Sequence, residues 1–202
     1  MKVMLFDHPD KVGEEELKTD LLLLPDWRKS QVLSFRHLVD RVQCAKGYLL
    51  LHQLLTMEYG IHKMPSFVYG KYGKPQLANE NLPKEAAKLQ FNLSHCTKGV
   101  ICVVDNVPVG CDIEVIPDEI DADVLTACFS EEERQSILSA SRPTIEFARM
   151  WTIKESLLKL IGIGLIDNLP HVLSTSLAEH VSFSTHVFES NGYVYTVASY
   201  TE

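Results

Sequence analysis

The sequence has 202 residues, of which 46% are hydrophobic, enough to form a core in one domain or two small ones. Its 19 Lys and Arg against 27 Asp and Glu give a net charge of -8, which argues against a general nucleic-acid-binding protein. Five cysteines without a Cys-x-x-Cys pair favour reduced thiols over a zinc site. No signal peptide and no bilayer-length apolar run is recognisable, so we expect a cytoplasmic protein that binds neither nucleic acid nor membrane.

The first half is predicted to contain short strands and one long apolar helix. Residues 3–6 form an apolar run typical of a strand, and Pro25 precedes a segment with the character of a helix start. The leucine-rich segment 45–59 is followed by Gly60, which predicts a buried helix ending there. Residues 99–104 are rich in β-branched side chains, which indicates a buried strand.

Basic residues cluster between the first predicted strand and this helix. A solvated helix face explains them slightly better than a phosphate-binding edge, but both interpretations remain open. The residues concerned are Arg28, Lys29, Arg36, His37 and Arg41.

Two polar stretches follow the long helix. Segment 69–75 contains two glycines and a proline, which predicts a turn-rich loop where backbone can approach a ligand beside the ammonium of Lys74. Asn92, Ser94 and His95 come at the entrance of a predicted strand. Turn chemistry alone would explain Asn92 and Ser94, and a histidine here is more often structural than catalytic.

The centre of the chain carries two acidic residues in a strand pattern. Segment 107–110 is a plausible boundary between halves 1–106 and 107–202. Segment 111–116 alternates apolar and acidic residues, so Asp112 and Glu114 share one face with α-carbons roughly 7 Å apart. A hard divalent cation would relieve their repulsion, and Mg²⁺ prefers one or two carboxylates together with substrate phosphates.

A helix is predicted over residues 144–160, after a helix start in which Ser130 and Glu133 form a capping box. Its apolar residues recur at helical spacing, and Glu155 and Lys159 lie four residues apart on the opposite face. On an isolated helix such a pair is most often a solvated ion pair, but the acidic residues upstream favour a site. Segments 181–188 and 193–198 then predict a hairpin.

Five motifs, taken together, resemble a known family. Gly-Lys-Pro, Asn-Leu-Ser-His, Gly-Cys-Asp-Ile-Glu, Phe-Ser-x-x-Glu and Trp-x-x-Lys-Glu-x-x-x-Lys with Gly-x-Gly-Leu occur in this order over residues 71–165. Their order and spacing are similar to those of the 4'-phosphopantetheinyl transferase superfamily, surfactin-synthetase-activator type. The first third of the chain matches only in general character.

The resemblance implies an enzyme that transfers phosphopantetheine from coenzyme A to a serine of an acyl, peptidyl or polyketide carrier protein, as a holo-acyl-carrier-protein synthase does. Adenosine 3',5'-bisphosphate is the expected by-product. By the same resemblance, Mg²⁺ is expected on Asp112, Glu114 and Glu155, where it would stabilise charge on the pyrophosphate. Coenzyme A is expected to contact six residues: Arg41, Lys74, Pro75, Ser94, His95 and Lys159.

Several roles stay open at this point. The general base is either Glu155 or a metal-bound water with Glu133 nearby. Arg41 is assigned only weakly, because Gln43 aligns equally well. Lys154 is expected to orient the site or to help bind the partner.

The resemblance also implies the fold. We expect a pseudo-twofold α+β protein in which each half is a small sheet packed on a long helix, with the active site between the halves and a monomer as the working form. Two other functions are weighed against the transferase, namely a Mg²⁺-dependent pyrophosphatase or phosphodiesterase and a non-catalytic coenzyme A-binding module. The natural carrier, including a fatty-acid synthase carrier, and the choice between Mg²⁺ and Mn²⁺ are left open.

Overall fold

The computed structural model describes residues 1–63, 66–78, 86–164 and 166–201. Runs of helices and runs of strands follow one another along the chain, which is an α+β order, so the predicted fold class is confirmed. The strands are β1 Lys2–Asp7, β2 Phe67–Tyr69, β3 Pro75–Leu77, β4 Gln90–Cys96, β5 Gly99–Asp105, β6 Val109–Val115, β7 Val181–Phe188 and β8 Tyr193–Tyr200. The helices are α1 Glu14–Leu23, α2 Asp26–Ser34, α3 Leu38–Tyr59, α4 Ala122–Cys128, α5 Glu131–Ser139 and α6 Pro143–Ile161, with short 3-10 turns at Pro9–Lys11, Leu169–Ser174 and Ser176–Ala178.

Two three-stranded antiparallel sheets repeat one plan. The first has strand order β1-β5-β4 with α3 packed on it, and the second has order β6-β8-β7 with α6 packed on it. The sheets meet where β4 lies beside β6, and the short β2–β3 hairpin forms a third sheet. The prediction of a small sheet on a long helix in each half is therefore confirmed. All strands of the first large sheet precede residue 107, but the division into 1–106 and 107–202 stays an interpretation.

Helix α3 is longer than the leucine pattern predicted. It begins at Leu38, seven residues before the predicted start, and ends as expected at Gly60, whose φ of 66° suits glycine. Its buried leucines pack against β5 and β4, and this apolar contact forms the core of the first half. No helix among the described residues is long and apolar enough to cross a membrane.

Most local predictions in the second half are confirmed. Ser130 caps α5 with Glu133 as its capping-box partner, and α6 ends at Gly162 with a φ of 78°. The terminal hairpin is β7–β8.

Two predicted segments differ from expectation or lie outside the description. Segment 69–75 is not only a loop, since it contains the turn of the β2–β3 hairpin. Leu165, at the end of the Gly-x-Gly-Leu motif, lies outside the described residues.

Candidate active site

A cavity of about 460 Å³ lies where β4, β6 and α6 meet. Strand alternation turns both acidic side chains of β6 towards it, and helical spacing does the same for the acid and base of α6. The predicted charged residues of these two motifs are thus brought together. The lining residues are Leu93, Ser94, His95, Asp112, Glu114, Trp151, Glu155 and Lys159.

Gly110 allows α6 to cross β6 in direct backbone contact. A Cβ built on Gly110 would lie 2.1 Å from the carbonyl oxygen of Ser156 and 2.4 Å from the amide nitrogen of Leu160. Any side chain at this position would push the helix away from the strand. The glycine of the Gly-Cys-Asp-Ile-Glu motif therefore sets how closely Glu155 and Lys159 approach the β6 carboxylates.

Lys159 joins the two halves at the cavity. Its Nζ donates to Ser94 Oγ at 2.8 Å and to Asp112 Oδ1, while Ser94 Oγ donates to the same carboxylate oxygen at 2.8 Å. Asp112 is 2% exposed, and its Oδ2 is buried with no hydrogen-bond partner among the described residues. One oxygen of this carboxylate is thus neutralised, and the other is available to a ligand.

Asn92 and Ser94 do not serve as turn residues, which corrects that expectation. Both lie within β4, two positions apart and therefore on the same face, which is turned towards β6. Asn92 Oδ1 accepts a hydrogen bond from the Cys111 amide at 2.9 Å, so it links the two sheets next to the site. Ser94 is a member of the charged cluster itself.

Two carboxyls at this cavity have raised pKa values, so their ionised forms would be stabilised by a nearby cation. Burial, with a smaller contribution from Asp112, raises the pKa of Glu114 to about 7, and burial followed by Asp112 also raises the pKa of Glu155. Burial alone would lower the pKa of Lys159, but the charge and hydrogen bond of Asp112 outweigh it and the pKa is raised. The raised pKa of Lys159 favours its charged form, and the raised pKa of Glu114 leaves that carboxyl only partly ionised near pH 7.

A second cavity, of about 270 Å³, lies on the other side of His95. Arg28 and Gln43 line it with His95, whereas Arg41 does not and instead donates its Nε to the Phe35 carbonyl at 2.8 Å. His95 stays exposed at its outer edge, yet desolvation by the surrounding protein lowers its pKa, and Lys159 adds to this shift. Arg28 is thus a site candidate that the sequence argument missed, although it belongs to the basic cluster noted there.

Lys74 and Pro75 lie at a third cavity, of about 360 Å³, which also reaches Glu155 and Lys159. The ammonium of Lys74 donates to three backbone carbonyls: Val109 at 3.1 Å, Lys159 at 2.6 Å and Leu160 at 3.0 Å. Burial lowers its pKa. The structure therefore brings Lys74 to the backbone of α6 and β6.

Glu133 and Lys154 form a separate buried pair. Lys154 is 0% exposed, lies 2.7 Å from a Glu133 oxygen, and donates to the carbonyls of Cys128, Leu169 and Pro170. Glu133 also accepts the Ser130 amide in the capping box and does not line the cavity that holds the other carboxylates. Lys154 does not reach the surface, so any help it gives to partner binding would be indirect, and its role stays a prediction.

Among the residues that the structure describes, no three His, Cys, Asp or Glu side chains are already arranged closely enough to enclose a metal ion. The predicted ligands Asp112, Glu114 and Glu155 line one cavity without forming such a group, so the Mg²⁺ site stays a prediction. Mg²⁺ is bound through one or two carboxylates and completes its coordination with water and substrate phosphates. The free Oδ2 of Asp112 and the raised pKa of Glu114 fit such a cation.

Comparison with known proteins agrees with this geometry. Residues 108–198 match the family model described as the 4'-phosphopantetheinyl transferase superfamily. A 4'-phosphopantetheinyl transferase of Bacillus subtilis is 32% identical over 164 residues, which cover 79% of this chain and 68% of the relative. The 4'-phosphopantetheinyl transferase AcpT of Salmonella typhimurium is 31% identical over 175 residues, which cover 81% of this chain and 84% of the relative.

The chain therefore belongs to the 4'-phosphopantetheinyl transferase superfamily, which confirms the predicted family and class of enzyme. Coverage differs between relatives. The match to the 4'-phosphopantetheinyl transferase psf-1 of Bacillus pumilus, 32% identical over 133 residues, spans 65% of this chain and 54% of that protein.

Proposed function

We propose that this protein transfers the 4'-phosphopantetheine group of coenzyme A to a serine hydroxyl of a carrier protein and releases adenosine 3',5'-bisphosphate. One observation carries the proposal. Lys159 of one half contacts Ser94 of the other half and Asp112, at a cavity that Glu114 and Glu155 also line. Cleavage of a pyrophosphate requires positive charge beside both phosphates, which Lys159 and a divalent cation held by the carboxylates would supply.

Mg²⁺ is the proposed cofactor, with Asp112, Glu114 and Glu155 as the residues that would hold it. When bound, it would neutralise the pyrophosphate and stabilise the leaving phosphate. The donors are all carboxylates, the type of ligand that Mg²⁺ prefers.

The chain's own residues have distinct proposed roles. Lys159 binds a phosphate oxygen as a fixed positive charge, and Ser94 orients the Lys159 ammonium. Glu155, whose pKa burial raises, is a suitable acceptor for the serine proton. Glu133 is the weaker candidate for the base, because its carboxylate already binds Lys154 and the Ser130 amide.

The coenzyme side is proposed to lie along the cavities that flank Lys159. Arg28 offers positive charge and His95 a hydrogen-bonding imidazole to the phosphate of the nucleotide, and Pro75 lines the neighbouring cavity. Arg41 remains a prediction without a place in either cavity lining. For Lys74, the three bonded carbonyls favour a different role, which is argued below.

The partner is proposed to be an acyl, peptidyl or polyketide carrier protein, with fatty acid synthesis as one possible pathway. The working form is proposed to be a monomer in the cytoplasm. Since carriers of this family are expected to be acidic, the docking face should be locally basic or apolar. Raised salt would then weaken carrier binding.

Intact-protein mass spectrometry tests the proposed function. Apo carrier would be incubated with this protein, coenzyme A and Mg²⁺, with EDTA in the control. We expect the carrier to gain the mass of one phosphopantetheine, and the gain to disappear with EDTA. Cleavage of coenzyme A without a mass gain would favour a phosphodiesterase instead, and absence of both across several carriers would favour a coenzyme A-binding module.

A further inference from the structure

The Lys74 ammonium is fully used by the backbone around it. A lysine has three N–H donors, and the structure provides three carbonyl acceptors between 2.6 and 3.1 Å from Nζ. Two of them, Lys159 and Leu160, are among the last four residues of α6, whose carbonyls have no partner within the helix. The third, Val109, is the first residue of β6.

The side chain leading to this ammonium is fitted to the end of α6 as well. Gly162 ends the helix with a positive φ, and a Cβ built on it would lie 3.1 Å from Lys74 Cδ. Lys74 itself is fixed by the hairpin turn, since its carbonyl accepts the Gly70 amide at 2.9 Å. One residue of the β2–β3 hairpin thus holds both α6 and β6.

We propose that Lys74 is a positioning residue for the transfer reaction, which binds the end of α6 to the start of β6 rather than a phosphate of coenzyme A. This inference rests on the proposed function for its kinetic consequences. Its physical basis is that the carbonyl of Lys159 is bound by Lys74 while the ammonium of Lys159 is bound to Asp112. Lys74 therefore fixes the backbone from which the catalytic cation extends, one residue away from the close contact at Gly110.

The positive charge of Lys74 is favourable at the C-terminal end of α6. A cation near the C-terminal end of a helix is stabilised by the helix dipole and by the free carbonyls there. Burial lowers the pKa of Lys74, which disfavours the charged form, so the three carbonyl bonds are what hold an ammonium in place. A phosphate ligand would instead need at least one N–H free to reach the substrate.

Steady-state kinetics of Lys74→Met distinguish the two roles. Lys71→Met is the matched control, because Lys71 is an exposed lysine of the same hairpin turn. We expect kcat of Lys74→Met to fall about 10- to 100-fold, since small displacements of catalytic groups cost that much, with KM for coenzyme A within about threefold of wild type. Lys74→Arg should recover part of kcat, because a guanidinium also donates to carbonyls. An increase of tenfold or more in KM for coenzyme A at unchanged kcat would overturn the proposal.

Lysine acetylation footprinting of the unmodified protein gives a test that needs no variant. With its three N–H groups bound, Lys74 should react much more slowly than Lys71 whether or not coenzyme A is present. A Lys74 that reacts freely in the unliganded protein and is protected by coenzyme A would identify a phosphate ligand and overturn the proposal. If wild-type protein modifies no carrier, the proposed function fails, whereas slow acetylation of Lys74 would still support its bonds to α6 and β6.

Discussion

The two halves share one architecture but differ in what lies between helix and sheet. In the first half, α3 meets β5 through apolar side chains, and Leu51, Leu55 and Val100 belong to one buried apolar cluster. In the second half, the buried face of α6 carries Thr152, whose hydroxyl lies 2.7 Å from that of Thr196 on β8. An apolar contact adjusts to small shifts, whereas hydrogen bonds fix the helix in one position. We infer that apolar packing lets α3 shift slightly on its sheet, whereas buried polar bonds hold α6 in one position on its own.

The largest expected effect concerns the buried lysine of the second half. Lys154→Met leaves Glu133 without its cation and three carbonyls without a donor, so the free energy of unfolding should fall by about 3–5 kcal/mol. Lys98→Met, which removes a more exposed ion pair with Asp10 in the first half, should cost less than about 1 kcal/mol. Urea unfolding of both variants measures the difference. Equal losses of unfolding free energy in the two variants would contradict a special contribution of the buried lysine in the second half.

Glu155→Gln should abolish transfer while the fold survives. Loss of the proposed base and metal ligand is expected to lower the rate by about 10²-fold or more, because both proposed roles need the carboxylate. Glu58→Gln, in the last turn of α3, is the first-half control and should keep the wild-type rate, as Glu58 only pairs with Lys2 near the surface. The carrier mass assay measures both rates. A near-normal rate for Glu155→Gln would remove Glu155 from both roles.

A glycine lies at the helix–sheet contact of each half, and alanine should affect the two in opposite directions. Gly110→Ala places a methyl group against α6 backbone and should destabilise by about 1–3 kcal/mol or more, with loss of activity. A Cβ on Gly47 of α3 would meet Val100 at an ordinary 3.7 Å, so Gly47→Ala should stabilise by about 0.5–1 kcal/mol through helix propensity. The melting temperatures of both variants, compared with wild type in thermal unfolding, test these opposite signs. A harmless Gly110→Ala would show that α6 can move away from β6 freely.

The smallest effect is the pH dependence contributed by Glu114. Because its pKa is raised to about 7 in the fold, the folded state favours the protonated form. This contribution to stability is complete below the unfolded pKa and is lost as pH rises through about 7. Without metal, wild type should lose about 1 kcal/mol relative to Glu114→Gln between pH 6 and 8, and Mg²⁺ should reverse the trend. Parallel curves for the two proteins would contradict the burial of a titrating carboxyl here.

What the sequence predicts correctly follows from local periodicity. Alternation in β6 placed Asp112 and Glu114 on one face, and the spacing in α6 did the same for Glu155 and Lys159. The capping box at Ser130 was equally local. Helix and strand geometry is fixed by neighbours a few residues away, so such patterns are reliable.

What the sequence did not predict depends on contacts between distant segments. Lys154 stands between two residues of the site motif and has no local sign of burial, since its acceptors come from α4 and from the turn after α6. Lys74 binds carbonyls 35 to 86 positions further along the chain. Arg28 reaches the cavity at His95 because α2 packs on α3. A sequence does not show which backbone carbonyls or cavities a distant side chain will reach. The contacts of Lys154, Lys74 and Arg28 can therefore be identified only in the folded structure.

The pairing of β1 with β5 also determines when the first half can fold. Lys2 lies opposite Val104, so β1 is synthesised about a hundred residues before the strand with which it pairs. Until β4 and β5 have emerged, the leucines of α3 have no sheet to cover them. At about 5–20 residues per second, this interval lasts several seconds, during which the buried leucines of α3 are exposed. The leucine-rich face of α3 is thus a part of the nascent chain that a chaperone would need to protect until β4 and β5 have been made.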